Sequence, residues 1–338
     1  MQNQRMQRFR RGLRAKLRVL FSPGMLLYML KRLLRSLVTL FLIMTIVFCL
    51  SRLMPVEGYY KNPDKMTDAQ KAAVLQNLGL NDPIWKQLAN FYGRMLHGDL
   101  GTSYVYRQGV DVWEILRDKL PISIRLGSMA IVLSMLLGIP MGVLMTRFKG
   151  RLPDHFGTGF IVLIQAVPMV VFCLFIKLWG TQMLGLNSAR FFEDDPVYWI
   201  LPVITLSLGN IAYYAMWVRR YMVDESNKDY VALARIKGAG ERRILFRHIF
   251  RNAFVPMVQY IPSSFLNTVV GSIYVESYFG IAGMGGLLVN VIKAQDNAMI
   301  LAIVLVYSCV GVIGLILGDL LMVLLDPRIS LARKEDAA

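Results

Sequence analysis

Residues 299–325 read MILAIVLVYSCVGVIGLILGDLLMVLL, and Asp319 is the one charged residue in the run. A hydrocarbon core of ~30 Å is crossed by about 20 helical residues rising ~1.5 Å each. The run is therefore long and apolar enough to span a bilayer. The same pattern recurs near 33–53, 120–145, 158–180, 199–218 and 255–276. Together these runs predict an all-α, polytopic membrane protein with six transmembrane helices. Of the 338 residues, 55% are hydrophobic and 18% charged, against about a quarter charged in a soluble domain. A soluble enzyme is excluded.

The chain holds 38 Lys or Arg against 22 Asp or Glu, a net charge of +16. A surplus of that size invites a nucleic-acid reading, but its placement is a topology signal. Arg5, Arg8, Arg10, Arg11, Arg14, Lys16, Arg18, Lys31, Arg32 and Arg35 lie before or at the first span with no acid among them. Between spans two and three, Arg147, Lys149 and Arg151 face Asp154. Between spans four and five, nine Lys or Arg from Arg219 to Arg251 face Asp224, Glu225, Asp229 and Glu241. The alternate loops are balanced or acidic. Residues 54–119 carry eight of each sign, 181–198 carry Arg190 against Glu193, Asp194 and Asp195, and 277–298 carry Lys293 against Asp296. This is the positive-inside pattern, which puts both termini in the cytoplasm. Nucleic acid is not an expected partner; membrane lipid is.

The N-terminal basic stretch followed by apolar residues resembles a signal peptide, yet Leu33–Leu53 is long enough to span. Ser51-Arg52-Leu53-Met54-Pro55 offers no small-x-small cleavage site, so the first helix is expected to stay uncleaved. Within 5–21, Phe9, Leu13, Leu17 and Leu20 share one helical face among arginines. A short basic helix on the anionic inner leaflet and a disordered basic tail both fit. Cys49, Cys173 and Cys309 each lie in an apolar span with no metal or redox spacing, and read as small buried hydrophobes. His97, His155 and His248 fall in loops. No metal site and no nucleophile–base pair is expected. No G-x-x-x-x-G-K-[ST] phosphate cradle occurs, so ATP hydrolysis is not expected of this chain.

Two segments outside the spans carry structure. From Asn62 to Leu120, a helix over Thr67–Leu78 is predicted with Thr67 as N-cap and Gly79 as its stop. Asp82-Pro83 opens a second helix, Gly98-Asp99-Leu100-Gly101-Thr102-Ser103 is a turn, and Val110–Leu116 is helical again. This cap is too small to fold alone and must pack on the membrane helices or on a partner. On the other side, a helix from about Met222 to Lys237, a Gly238-Ala239-Gly240 turn and a helix from Glu241 to Phe250 are predicted. Connectors in a bundle usually run two to eight residues, so a structured loop over 219–255 suggests a partner that grips it. Its polar residues Tyr230, Arg235, Lys237, Glu241, Arg242, Arg243, Arg247 and His248 suit docking rather than catalysis.

Polar residues inside the spans need individual readings. Arg125 and Lys177 lie near outer ends and can snorkel to the interface. Asp319 is expected to pair with a basic group on the cytoplasmic side. In span five, Ser264, Thr268, Ser272 and Glu276 follow at i, i+4, i+8 and i+12, with Asn267 and Gly271 beside them. Such a stripe stays on one side of a helix. It suits a water-filled path for a peptide, or helix–helix contacts through small polar residues; Glu276, at its outer end, fits a structural role equally well.

The run Asp229-Tyr230-Val231-Ala232-Leu233-Ala234-Arg235-Ile236-Lys237-Gly238 resembles the "EAA" loop of binding-protein-dependent ABC importer permeases. Glu241-Arg242-Arg243, Arg247-His248, Arg251-Asn252-Ala253 and Pro256 are similar to the oligopeptide/dipeptide branch. So are Leu78–Pro83, Gly98–Ser103, Leu201-Pro202, Glu276–Gly280, Gly283-Met284-Gly285 and Leu325–Ile329. The resemblance covers roughly 25–330. It departs from the general pattern at Ala232, where the naming glutamate is absent, and at Arg251-Asn252 in place of Leu-Pro; both departures look like the peptide branch.

That resemblance implies the transmembrane-domain fold of a type I ABC importer in a bacterial inner membrane. It implies a homologous permease as partner, two cytoplasmic ATPase subunits that bind ATP and Mg, and an extracytoplasmic substrate-binding protein. Coupling to the ATPases would fall to Tyr230, Ala234, Arg235, Lys237, Gly238, Ala239, Glu241, Arg242 and Arg243. Ser264, Asn267, Thr268, Ser272 and Glu276 would line the translocation pathway. Asp99, Gly101, Thr102 and Ser103 would meet the binding protein. The expected division is a basic segment 1–24, a first helix and cap 25–120, a core 121–330 with the coupling loop 219–255, and a tail 331–338. The same branch includes importers of nickel chelates, glutathione and other small solutes. A non-transporting membrane scaffold is a further reading. An ion-coupled carrier would need acidic or His relays at mid-membrane, and none stands out.

Overall fold

The computed structural model describes residues 23–53, 59–60 and 66–325. The basic face expected at 5–21, the terminal Asp326–Ile329 and the tail 331–338 lie outside them. Helix α1 is described over Pro23–Ser51. In the cap, α2 spans Asp68–Asn77. Thr67 and Gln70 exchange a capping box, with Gln70 N donating to Thr67 Oγ1 at 3.3 Å and Thr67 N to Gln70 Oε1 at 2.9 Å. Gly79, at φ +68°, stops the helix in the left-handed region, as the sequence predicts. Helix α3 then runs Ile84–Leu96.

The helix expected over 110–116 is not separate. It is the opening of α4, Val112–Arg147, whose N-cap Asp111 accepts from Trp113 N at 2.7 Å. At 36 residues it is about 54 Å long, so it carries the cap and span two on one rod. Pro121 and Pro140 sit within it without ending it. Span three is also different from the single helix expected at 158–180. Helices α5, Leu152–Ala166, and α6, Met169–Met183, meet at an angle of 102°. Pro168 causes the break: the residue before a proline is pushed out of the α region, and Val167 has φ −96° and ψ 128°.

Helix α7 covers Pro196–Ser226 and α8 covers Asp229–Ile236. The predicted 222–237 helix is thus two helices, parted at Asn227-Lys228, where Lys228 is extended (ψ 145°). A helical turn over Glu241–Arg243 and a π-helical stretch over Ile244–Phe250 run straight into α9, Arg251–Gly271. The second loop helix is therefore the foot of span five. Helix α10, Ile273–Phe279, ends at left-handed Gly280 (φ +75°), and α11, Met284–Lys293, follows within the 277–298 connection between spans five and six. Helix α12, Asn297–Leu325, is the last of the described helices. Helices α1, α4, α7 and α12 are each long and apolar enough to cross a membrane, and the bent pairs bring the number up to six if each is one span. Among the described residues the β-structure is one isolated bridge, Thr102 with Asp111.

Helices α4 and α7 form the centre. Ser134, Gly138 and Gly142 recur every fourth residue on α4, so one face is small and the backbones close in. A Cβ on Gly138 would lie 2.7 Å from Ile211 O, and one on Gly142 would lie 2.7 Å from Ala215 O. Ser207 Oγ donates to Ala130 O at 3.0 Å across the same seam. Small residues that admit close approach are how helices associate in lipid, where no hydrophobic gain drives them together. Around this pair, α12 packs on α9 and α1. At its far end Asp319 pairs with Arg32 of α1, the basic partner the sequence anticipates.

Candidate coupling surface and translocation face

Helix α8 is a short helix held between the foot of α9 and the end of α7. Val231 and Ile244 are fully buried and pack with Tyr214, Val218 and Met222 of α7 and Ile249, Ala253 and Met257. Tyr230 pins the arrangement: its hydroxyl donates to Glu225 Oε1 at 2.6 Å and accepts from Asn252 Nδ2 at 3.0 Å. Burial, followed by the hydrogen bond to Glu225, pushes the Tyr230 hydroxyl up to about 12, so it stays a donor across the physiological range. Gly238, at φ +76°, makes the turn that sends the chain back; the left-handed region costs a residue with a Cβ roughly 1–2 kcal/mol.

The outward side of this knob is apolar at its centre and charged around it. Ile236 is 82% exposed and Leu233 50%. Arg235, Lys237, Arg242 and Arg243 are exposed around them, with Arg235 Nε bonded to Glu241 Oε1 at 3.0 Å. Ala234 and Ala239 are half-buried and packed inward. The expected coupling residues therefore share one knob, but Tyr230, Ala234 and Ala239 support it from within. Leu233 and Ile236 were not singled out by the sequence. Their signal was the pair of large apolar residues left on the solvent side of a short amphipathic helix.

The ends of α5 and α7 are locked beside the knob. Arg219 donates through Nε to Asp154 Oδ1 at 2.6 Å and through Nη2 to Oδ2 at 2.8 Å, and Gly150 N adds a bond to Oδ2 at 2.9 Å. A bidentate guanidinium–carboxylate pair fixes orientation as well as distance. Sequence reading counted both residues only as loop charges.

The polar stripe of span five divides. Ser272 and Glu276 are fully buried. Glu276 accepts from Ser272 Oγ at 2.5 Å, Ser123 Oγ at 2.6 Å and Gly285 N at 2.7 Å, while Ser123 Oγ accepts from Met284 N at 2.8 Å. These groups satisfy the first turn of α11 and join it to α4 and α10, so Ser272 and Glu276 are buried ties between helices. Thr268 is buried against Asn210 Nδ2 at 2.8 Å, and Ser264 Oγ meets Tyr214 Oη at 2.7 Å. Asn267 is exposed. One helix's periodicity could not reveal partners on α4 and α7. Beside this face, Tyr213, Trp217 and Tyr221 follow at i, i+4 and i+8 on α7. Tyr213 also packs edge-to-face on Tyr260 of α9, with centroids 6.4 Å apart. The i, i+4, i+8 spacing of that aromatic row is its signal in the sequence.

The cap turn is built around Asp296. Its Oδ2 accepts from Ser103 Oγ at 2.6 Å, Val105 N at 3.0 Å and Tyr106 N at 3.1 Å, and its Oδ1 from Met299 N at 3.3 Å. Ser103 is 1% exposed, so its expected place on a docking surface is corrected: it is an internal tie. Asp99 and Thr102 are exposed, and Gly101, at φ +81°, donates to Asp99 Oδ1 at 2.8 Å. Near the same side, Lys177 donates to Tyr278 O at 2.5 Å and Arg125 lies 4.4 Å over the Trp199 ring. Both in-span cations thus find partners.

A family model described as "Binding-protein-dependent transport system inner membrane component" matches residues 138–331, and its N-terminal counterpart matches 25–127. The chain is 34% identical over 314 residues to the dipeptide transport system permease protein DppB of Lactococcus lactis, covering 91% of this chain and 100% of that one. It is 29% identical over 310 residues to the oligopeptide transport system permease protein OppB of Salmonella typhimurium, covering 90% and 99%. A solved structure of the MetNI methionine ABC transporter in inward-facing conformations aligns with TM-score 0.51 and 13% identity, over 61% of this chain and 94% of that one. That last likeness is one of fold, and it bears out the architecture expected from the sequence.

Proposed function

Because the chain belongs to the family of binding-protein-dependent transport system inner membrane components, on the dipeptide and oligopeptide permease branch, we propose that it forms one half of the translocation pathway of an ATP-driven peptide importer. Its partners are a homologous permease, two ATPase subunits that bind ATP and Mg, and a binding protein that delivers cargo. The basic loops face the cytoplasm, as do both termini, and the cap faces outward.

The observation that carries this reading is the knob. Exposed Leu233 and Ile236 ringed by Arg235, Lys237, Arg242 and Arg243 suit a partner groove with an apolar floor and an acidic rim. The apolar pair supplies desolvation at the centre, and the charges steer and orient. Movement of an ATPase would reach the pathway as a rigid-body displacement. Val231, Tyr230 and the Arg219–Asp154 pair tie α8 to α5, α7 and α9, so α8 cannot shift without them. The face that moves holds Asn267, Ser264, Tyr260 and the Tyr213–Trp217–Tyr221 row, whose amphipathic groups suit the alternating polar and apolar surface of a peptide.

Proteoliposomes holding the assembled transporter and its binding protein test this. Uptake of a labelled peptide should require ATP and should vanish when 229–243 is deleted. Uptake that continued unchanged after the deletion would refute the coupling role.

A further inference from the structure

Beneath the cap, between the outer ends of α1 and α12, lies a cavity of about 50 Å³ that the transport reading does not use. A buried water needs ~10–15 Å³ by the same measure, so the space fits a group the size of a phosphate rather than a whole lipid. Its polar side is formed by Arg52, Tyr59, Arg94, Asp99 and Asn297. Asn297 is 1% exposed, and neither its amide oxygen nor its amide nitrogen has a well-aligned hydrogen-bond partner. The Tyr59 hydroxyl is a polar neighbour at the cavity close enough to interact with the side chain. Arg52 donates through Nη1 to Tyr59 Oη and lies 4.4 Å over the Phe48 ring, while its Nε is buried without a hydrogen-bond partner. Buried amide and guanidinium donors left unmade are costly, and their presence at one cavity points to a ligand that satisfies them.

The charge favours an anion. Two arginines share the lining with one carboxylate, Asp99, one of whose oxygens already accepts from Gly101 N. The carboxylate of Asp296, next to Asn297, is occupied on both oxygens by Ser103, Val105, Tyr106 and Met299. Asn297 also opens α12, so the positive end of that long helix adds to the preference. Burial raises the Tyr59 hydroxyl against the opposing influence of Arg52, which keeps its proton available for donation.

The other walls are apolar. Phe48, Phe91, Leu301 and Leu305 line the cavity, and Met44 and Val304 continue the same apolar cluster along α1 and α12 toward the middle of the spans. Next to it, α3 leaves Trp85 69% and Leu96 81% exposed, which suits a helix at the membrane interface, where tryptophan concentrates. A free anion would gain nothing from those walls; an anion with an acyl tail would.

We propose that this cavity binds the phosphate of an anionic phospholipid from the outer leaflet, with Arg52, Arg94, Asn297 and Tyr59 as its donors and the acyl chains lying along α1 and α12. The lipid would then brace the cap against the first and last spans. The test is native mass spectrometry of the full-length chain in its assembled transporter, delipidated and then titrated with dioleoylphosphatidylglycerol, dioleoylphosphatidylcholine or sodium phosphate. One phosphatidylglycerol should be retained, and Arg52→Gln or Asn297→Leu should each weaken retention about tenfold, as expected for losing a charge-assisted or buried donor. Arg94→Gln, on the exposed cap helix, should weaken it too without touching a span, which guards against a folding defect in the other variants. Equal retention by all the variants would overturn the site. Equal retention of phosphatidylcholine would overturn its charge selectivity. Displacement of the lipid by millimolar sodium phosphate would overturn the lipid assignment.

Discussion

Replacing Asp296 with alanine should free the cap turn from the last span while leaving the helix bundle folded. Three donors of the turn converge on one oxygen: Ser103 Oγ at 2.6 Å, Val105 N at 3.0 Å and Tyr106 N at 3.1 Å. Asp296 is fully buried, so water does not replace it without local opening. Hydrogen bonds to a charged acceptor contribute ~1.5–3 kcal/mol each; at the low end, with partial relaxation, the three together come to about 3 kcal/mol. Every ~1.4 kcal/mol is a factor of ten, so the Val105 and Tyr106 amides should exchange about 100-fold faster in Asp296→Ala. Asp296→Asn still offers one neutral oxygen and should show an increase of about tenfold, since neutral bonds are worth ~0.5–1.5 kcal/mol. Hydrogen exchange read by mass spectrometry on peptides covering 100–110 measures this, with helix α2 as an internal control that should not change. Wild-type exchange at 105 and 106 in Asp296→Ala would show that the carboxylate does not hold the turn.

Gly142→Leu would drive a side chain into Ala215 O, 2.7 Å from where its Cβ would sit, and should lower stability by at least ~1–3 kcal/mol, read as a drop in thermal midpoint in detergent; an unchanged midpoint would contradict the close α4–α7 seam. Ile236→Asp puts a charge at the centre of the exposed knob and should abolish co-purification of the ATPase subunits without changing the midpoint. Arg32→Gln removes the cationic partner that joins α1 to Asp319 of α12, whose side chain is 10% exposed, and should lower the thermal midpoint in detergent, with Asp319→Asn in the same chain recovering part of the loss. Tyr230 has a raised value in the folded loop, so its protonated form is the one the fold favours. Its contribution is intact below its ordinary value of 10.0 and lost as pH rises toward about 12. The stability difference between wild type and Tyr230→Phe in denaturant titrations should therefore shrink above pH ~10.

The amino-acid sequence by itself determined the features that depend on near neighbours. Apolar runs place the spans, alternating loop charge gives the expected topology, and Thr67, Gln70 and Gly79 set both ends of a cap helix within thirteen positions. The glycine turn at 238 belongs to the same class, since a left-handed φ is a local demand. Pro168 was equally local, yet only the packed structure decided that its break would become a 102° bend, because a pre-proline residue is barred from the α region without being told its direction. The stripe on span five shows the limit most clearly. Its spacing is visible in the sequence, but which members are buried depends on Ser123, Asn210 and Tyr214, on other helices. Asp296 and Ser103 stand 193 positions apart, and Arg219 and Asp154 stand 65 apart. Helical periodicity carries information over a few turns, whereas a hydrogen bond joins whatever the assembled bundle brings within about 3 Å. Those pairings, and the cavity between the cap and the first and last spans, exist only once the helices have met.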